Sequence, residues 1–247
     1  MANETGKKTA FISGASRGIG AGIARALAAE GYDLALSCET SEALLRDLAS
    51  GLERDHRIKT ACFVGDIADE SHVLRIAAQT AKQLGDIDLL VNNAGISRMG
   101  LLQDMSLQDW ERTLSVNLTS CFLLSKAFLP AMIRRQSGSI VNISSIWGVC
   151  GASCEAAYSA SKGGMNAFTK ALAKEVAPSH IQVNAIACGA ADTQMNDHLS
   201  EQELQDFIDT IPAGRLATPE DIGHAVAAIP RIPYMTGQII GVNGGYL

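Results

Sequence analysis

Short, nearly continuous apolar runs alternate along this chain with longer stretches whose apolar residues recur at helical spacing. Runs near 8–13, 32–38, 59–64, 87–92, 138–144, 181–187 and 238–242 predict strands, and 18–30, 41–54, 69–84, 110–135, 155–177 and 218–229 predict helices. Within the stretch 155–177, Met165, Phe168, Leu172 and Val176 mark one helical face. Such βαβ alternation predicts an α/β fold, a doubly wound parallel sheet of about seven strands with helices on both faces. With no internal repeat, low-complexity tract or linker to split it, residues 1–247 are expected to form one domain. The run Cys121-Phe122-Leu123-Leu124 with Ala127-Phe128-Leu129 is too apolar for a helix with one wet face. It is expected either in the core of a subunit or between copies.

Composition narrows the function. A length of 247 residues is ample for a sizeable core. A net charge of −6 without a basic stripe argues against nucleic acid and anionic membrane surfaces as partners. The start Met-Ala-Asn-Glu-Thr-Gly-Lys-Lys has no signal-like apolar region, and no run is read as approaching membrane-spanning length, so a cytoplasmic location is expected. Cysteines at 38, 62, 121, 150, 154 and 188 show neither a C-x-x-C pair nor zinc spacing. They read as free thiols, no metal site is expected, and Cys150 and Cys154 stand where they could edge a pocket.

Two motifs carry chemistry. The first run ends in Ser13-Gly14-Ala15-Ser16-Arg17-Gly18-Ile19-Gly20 and passes into the helix former Ile23-Ala24-Arg25-Ala26-Leu27-Ala28. Glycines there permit a tight turn and close approach of backbone to a pyrophosphate, and the following helix supplies N–H donors and its positive dipole end. The spacing is G-x-x-x-G-x-G, not G-x-G-x-x-G, and no Gly-Lys-Ser/Thr follows, so it is not a Walker A loop. This is a Rossmann-type cradle.

The second motif is Ser139-Ile140-Val141-Asn142-Ile143-Ser144-Ser145 followed by Tyr158 and Lys162. An apolar strand ending in serines delivers a hydroxyl to the carboxyl edge of the sheet, where ligands bind in open α/β folds. Tyr158 and Lys162, four apart on a helix, project toward one region. A tyrosine titrates near roughly 10, and a neighbouring cation lowers that value, making the phenol usable as an acid for a forming alkoxide or as a base for the reverse oxidation.

With Gly14–Gly20, Asp66, Asn92-Asn93-Ala94-Gly95, Asn117, Ser145, Tyr158, Lys162 and the terminal Thr236-Gly237-Gln238 and Val242-Asn243-Gly244-Gly245, the chain resembles the short-chain dehydrogenase/reductase family over essentially its whole length. The resemblance implies an NAD(P)-dependent oxidoreductase. In it Tyr158 is the general acid/base, Lys162 lowers its pKa and holds the nicotinamide ribose, Ser145 orients the carbonyl, and Asn117 steadies a water relay to Lys162. The cofactor-binding set it implies is Gly14, Ser16, Arg17, Gly18, Ile19, Gly20, Asp66, Ile67, Asn93, Ala94, Gly95, Tyr158, Lys162, Gly189 and Thr193. A lid is expected near 188–212, and assembly is expected as a homotetramer through the long helices and the C-terminal segment. A nucleotide-binding regulator without turnover is the competing class, and the complete Asn117, Ser145, Tyr158 and Lys162 set argues against it.

Cofactor choice divides the residues. Members preferring NAD usually carry an acid where this chain has Cys38, whereas Arg17 beside the glycine turn could pair with a 2′-phosphate. Glu39 would repel that phosphate unless turned away. NADP(H) is favoured, with NAD(H) as the alternative. The subgroup most resembled is the 3-oxoacyl-[acyl-carrier-protein] reductases, which act on an acyl-thioester substrate, with acyl carrier protein as partner; the alternative is a sugar, polyol or hydroxysteroid dehydrogenase. Arg134 and Arg135 could meet the acidic carrier, although Gln136 and Ser179-His180 stand where such reductases often carry arginine. Trp147, Val149 and Met195 are read as an apolar pocket wall. Cys188-Gly189 replaces a common Pro-Gly, which is expected to loosen the start of the lid.

Overall fold

The computed structural model describes residues 6–194 and 200–247. Its sheet has seven parallel strands: β1 (Thr9–Ile12), β2 (Asp33–Cys38), β3 (Thr60–Val64), β4 (Leu89–Asn92), β5 (Gly138–Ser145), β6 (Ile181–Cys188) and β7 (Ile239–Val242). Their order is β3-β2-β1-β4-β5-β6-β7. The order reverses between β1 and β4, so a crevice opens at the carboxyl ends of those two strands, the ligand position of doubly wound sheets. β1, β2 and β4 are buried along their whole length, as strands with both faces covered must be.

Helices α1 (Gly18–Ala29), α2 (Glu42–His56), α3 (Glu70–Leu84), α4 (Leu107–Leu114), α5 (Ser120–Arg135), α6 (Trp147–Cys150), α7 (Ala156–Val176), α8 (Glu201–Asp209) and α9 (Pro219–Ala228) complete the chain. Against one face, Ile23 and Leu27 of α1, Leu45 of α2 and Ile222 and Val226 of α9 pack on Ile12, Leu36, Val91 and Ile186. Against the other, Val73 and Ile76 of α3, Leu124 and Phe128 of α5 and Leu172 of α7 pack on Phe11, Phe63, Leu90 and Ile140. Phe11 and Phe128 meet with ring centroids 5.0 Å apart. The buried set of α3, Val73, Ile76, Thr80 and Leu84, follows the 3.6-residue period that its sequence shows.

The stretch predicted as one helix over 110–135 is interrupted. A π-helical segment, Ser115–Thr119, joins α4 to α5 and contains the buried Asn117. One extra residue per turn leaves no periodic trace in so short a segment, and π-bulges of this kind concentrate at functional sites. Taken with that segment, α4 and α5 form one helical stretch, Leu107–Arg135, which corrects the expectation that no run approaches membrane-spanning length. It spans 29 residues and contains an 18-residue window of mean hydropathy 1.5, of which half is buried. Its buried residues Leu123, Leu124, Phe128 and Met132 pack on the sheet, as in a core helix.

The predicted start of the lid differs from expectation. Cys188 is laddered on both sides, opposite Ser145 of β5 and Val242 of β7, and its carbonyl accepts from Ile146 N. The sheet therefore holds this backbone where the missing proline was expected to loosen it. Of the predicted pocket-wall residues, Met195 lies outside the described residues.

Candidate active site

The glycine turn leaves β1 at the crevice and is held from the next strand across. Asn93 Nδ2, just past β4, donates to the carbonyls of Ser13 (2.9 Å) and Gly14 (3.0 Å). Ser13 Oγ in turn accepts from Asn93 N and Ala94 N. Gly14 has φ +65, and a Cβ there would lie 2.8 Å from Ala94 Cα; a Cβ on Gly20 would collide with the Gly14 carbonyl oxygen. Glycine at these two positions lets the turn close on Asn93-Ala94-Gly95.

α1 starts from this turn with no side-chain cap and no acidic residue in its first turn. By contrast Asp69, Ser106, Ser200 and Thr218 cap α3, α4, α8 and α9. The uncapped N–H groups and positive dipole end suit a pyrophosphate, so the residues present fit a dinucleotide. Thr193 covers the turn, with Cγ2 3.2 Å from a Cβ placed on Gly18, and Arg17 Nη1 donates to Gln194 Oε1 at 2.9 Å. Ser16 and Ile19 are partly buried in the same turn, and Ile67, behind it, is in the core. Gly189, just past β6, donates its N–H to Val242 O and would press a Cβ to 2.8 Å from Asn243 Cα.

Asp66 does two jobs. One carboxylate oxygen accepts from Ala68 N at 2.8 Å and shapes the turn after β3, and the other accepts from Arg112 Nη1 at 2.5 Å. Arg112 Nη2 donates to Glu39 Oε1 at 2.8 Å. The carboxylate expected to repel a 2′-phosphate is thus held in an ion pair, by a residue the sequence reading did not single out. Its partners lie 46 and 73 positions away, so no local motif announces it.

The predicted catalytic residues converge at the carboxyl end of β5. Ser145 ends that strand and accepts from Trp147 N at 3.1 Å. α7 carries Tyr158 and Lys162 toward it. Lys162 is buried, and its Nζ donates to Ile143 O at 2.7 Å and lies 5.6 Å from the centre of the Tyr158 ring. Asn117 Nδ2 donates to Ile96 O (2.9 Å) and Ser161 Oγ (3.0 Å), while its Oδ1 accepts from Ile96 N (2.8 Å). A Cβ on Gly95 would come within 3.3 Å of Asn117 Oδ1 and 3.4 Å of Lys162 Nζ. Asn117, Lys162 and the Asn93-Ala94-Gly95 backbone therefore meet at one place beside the glycine turn.

Burial dominates the electrostatics of the Tyr158 and Lys162 pair. Burial pushes the Tyr158 phenol well above its ordinary value of 10.0 although the side chain is only half-buried. The Ser145 hydroxyl lowers it, and Cys188 and Glu155 raise it. The Lys162 ammonium is itself lowered by burial from 10.5 to about 8. Burial thus acts on both groups, raising the phenol and lowering the ammonium. Glu155 accepts from Ser97 Oγ at 2.5 Å.

The pocket wall is partly as expected. Trp147 stacks edge-on against Tyr246 at 5.8 Å, and Tyr246 meets Phe207 of α8 at 6.1 Å, while Val149 is largely exposed. Cys150 is exposed and Cys154, in the left-handed region at φ 62, is partly buried; both flank the loop between α6 and α7. Cys188 is buried beside the lysine, its thiol pushed up to about 12 by burial. The candidate carrier-docking residue Arg135 is already engaged. It donates to Ile87 O at 2.5 Å and pairs with Asp86 and Asp88 at 3.6 Å, at the amino-terminal ends of β4 and β5, opposite the edge that bears Ser145.

Known proteins match this arrangement. The short chain dehydrogenase family model covers residues 8–204. The uncharacterized oxidoreductase YmfI of Bacillus subtilis is 41% identical over 97% of this chain and 98% of its own length. The 3-oxoacyl-[acyl-carrier-protein] reductase FabG of Aquifex aeolicus is 38% identical over 96% of both chains, and the human 3-oxoacyl-[acyl-carrier-protein] reductase 40% identical over 96% of this chain and 97% of its own. The crystal structure of a blue fluorescent protein from a metagenomic library in complex with NADPH superposes with a TM-score of 0.90, at 32% identity and 97% coverage of each chain. With the family model covering most of its length and relatives at 38–41% identity over nearly all of it, the chain belongs to the short-chain dehydrogenase family of oxidoreductases.

Proposed function

We propose that this oxidoreductase reduces a 3-oxoacyl thioester to the 3-hydroxyacyl thioester with NADPH. The observation that carries the reading is the meeting of Asn117, Ser145, Tyr158 and Lys162 beside an uncapped helix N-terminus at the switch point of the sheet. Support for the substrate class comes from the two reductases named above, and for the cofactor from the NADPH-bound structure.

Gly14, Ser16, Gly18, Ile19 and Gly20 with the α1 N-terminus would hold the pyrophosphate, and Asp66, Ile67 and Asn93-Ala94-Gly95 the adenosine half. Tyr158 and Lys162 would hold the nicotinamide ribose, with Gly189 and Thr193 closing over it from the lid. When bound, NADPH supplies a hydride to the carbonyl carbon. Ser145 orients the carbonyl oxygen by a hydrogen bond. Tyr158, kept protonated by burial, gives its proton to that oxygen as charge develops on it, which suits the reductive direction. Lys162 then returns a proton to the phenol, and Asn117, fixed on the Ile96 backbone, steadies the relay that recharges the lysine. The apolar Trp147–Tyr246–Phe207 cluster walls the acyl side.

Arg135 being committed to Asp86 and Asp88 favours a second reading, in which the thioester or another ketone arrives without a carrier protein docked on this helix end. Exposed Phe122 and Ile133 on α5 supply the apolar face for the homotetramer expected of the family. A cytoplasmic location belongs to the same reading. The test follows nicotinamide absorbance with a short 3-oxoacyl thioester and, in parallel, small ketones. Tyr158→Phe should bind NADPH but turn over none of them. Turnover of ketones alone would move the assignment to a sugar, polyol or steroid carbonyl, and full turnover by Tyr158→Phe would remove the mechanism.

A further inference from the structure

We propose that Arg112 is the residue that lets the adenosine subsite accept a 2′-phosphate, by taking the Glu39 carboxylate into an ion pair and lending the rest of its guanidinium to the phosphate. The inference rests on the NADPH reading above and deepens it.

In a doubly wound sheet the residue some twenty positions after the glycine turn, at the end of the second strand, meets the ribose 2′-oxygen. Here β2 closes at Cys38, where an NAD-preferring chain would carry its acid, and the Glu39 carboxylate follows one position on. An unpaired carboxylate there selects the hydroxyl and repels a phosphate, which carries a charge of about −1.5 to −2. Arg17, the cation that the sequence offers for the phosphate, bonds Gln194 of the lid and makes no ion pair with Glu39. Among the described residues the ion-pair partner of Glu39 is Arg112.

The geometry gives Arg112 this role and leaves it capacity. It spans Glu39 and Asp66 with one Nη each, at 2.8 and 2.5 Å, so two of the five donors of the fork are used. The side chains are 33% (Arg112), 54% (Glu39) and 37% (Asp66) exposed, so the bridge lies at the surface of the crevice, within a ligand's reach. Its Asp66 and Arg112 end borders an open cleft of about 430 Å³ that also carries Asp69 and Glu111 and is not lined by Glu39. Those carboxylates make that cleft hostile to an anion, which leaves the Glu39 end of the bridge for the phosphate. With Arg112 the trio carries one net negative charge; without it, two carboxylates face the same space.

The test is calorimetric binding of 2′,5′-ADP and 5′-AMP, which differ only in the 2′-phosphate, at one fixed ionic strength. The wild-type protein should bind 2′,5′-ADP more tightly. Arg112→Gln should weaken 2′,5′-ADP about tenfold or more, the scale of one charge-assisted contact, and move 5′-AMP by less than about twofold. Glu39→Gln should tighten 2′,5′-ADP, and the double variant should regain part of the loss. Retained 5′-AMP binding shows that the crevice is folded. Should Arg112→Gln lose it, Arg112→Lys, which keeps the charge but not the two-way bridge, should give a smaller loss specific to 2′,5′-ADP. An unchanged or equal loss for both probes in a folded variant, with the wild-type preference present, overturns the role of Arg112 and leaves the NADPH reading standing. A wild-type preference for 5′-AMP overturns both.

Discussion

Replacing Lys162 by methionine should make the protein more stable while abolishing turnover. Lys162 is 3% exposed, and burial lowers its pKa from 10.5 to about 8. That drop corresponds to about 3 kcal/mol of cost for holding the ammonium in the folded state. Losing the hydrogen bond to Ile143 O offsets about 1 kcal/mol of it. Methionine matches the length of the lysine stem, so the net gain at pH 7 is about 2 kcal/mol. The sign with pH follows from linkage. Because the folded pKa lies below the unfolded one, the unfolded chain binds more protons between about pH 8 and 10.5, and wild-type stability rises across that window. The cost is complete below about 8 and gone above 10.5. Urea unfolding of both proteins at several pH values should therefore show the variant ahead at pH 7, with the gap closing toward 10.5. A variant less stable than wild type at pH 7, or a gap that ignores pH, would refute the reasoning. Confirmation would show a site held at the expense of stability.

Other perturbations separate the parts of the site. Gly20→Ala drives a methyl into the Gly14 carbonyl and to 2.7 Å from Asn93 Nδ2; a loss of about 1–3 kcal/mol in thermal unfolding and the disappearance of NADPH binding are expected. Asn117→Ala strips partners from the Ile96 N–H and carbonyl, costing about 1–3 kcal/mol per group left unsatisfied, with turnover falling further than cofactor affinity. Since Lys162 loses its proton above about 8, the reductive kcat/KM should decline through that pH in the wild-type protein. Glu155→Gln removes a charge that raises the Tyr158 phenol, so alcohol oxidation, which needs the phenolate, should rise at lower pH than in wild type; an identical profile would remove Glu155 from the site.

The seven strands, the crossover helices and the glycine turn were legible because each is written in a local period or a local spacing. Tyr158 and Lys162 were legible for the same reason, since an interval of four on a helix places two side chains on one face. Their chemistry was not legible. The spacing sets the two side chains on one face, but the burial that raises the phenol and lowers the ammonium is a property of what α7 packs against.

Alone, the sequence determined that a parallel sheet would carry a dinucleotide cradle and a serine, tyrosine and lysine to the same edge, because hydrophobic period and glycine spacing act within a few residues. The π-helical segment that turns Asn117 onto Ile96, the engagement of Arg135 by Asp86 and Asp88, and the bridge from Arg112 to Glu39 and Asp66 were decided only by tertiary structure. Each joins charges or backbone groups from segments far apart in the chain, and only strand order and helix packing fix the distances over which such interactions act.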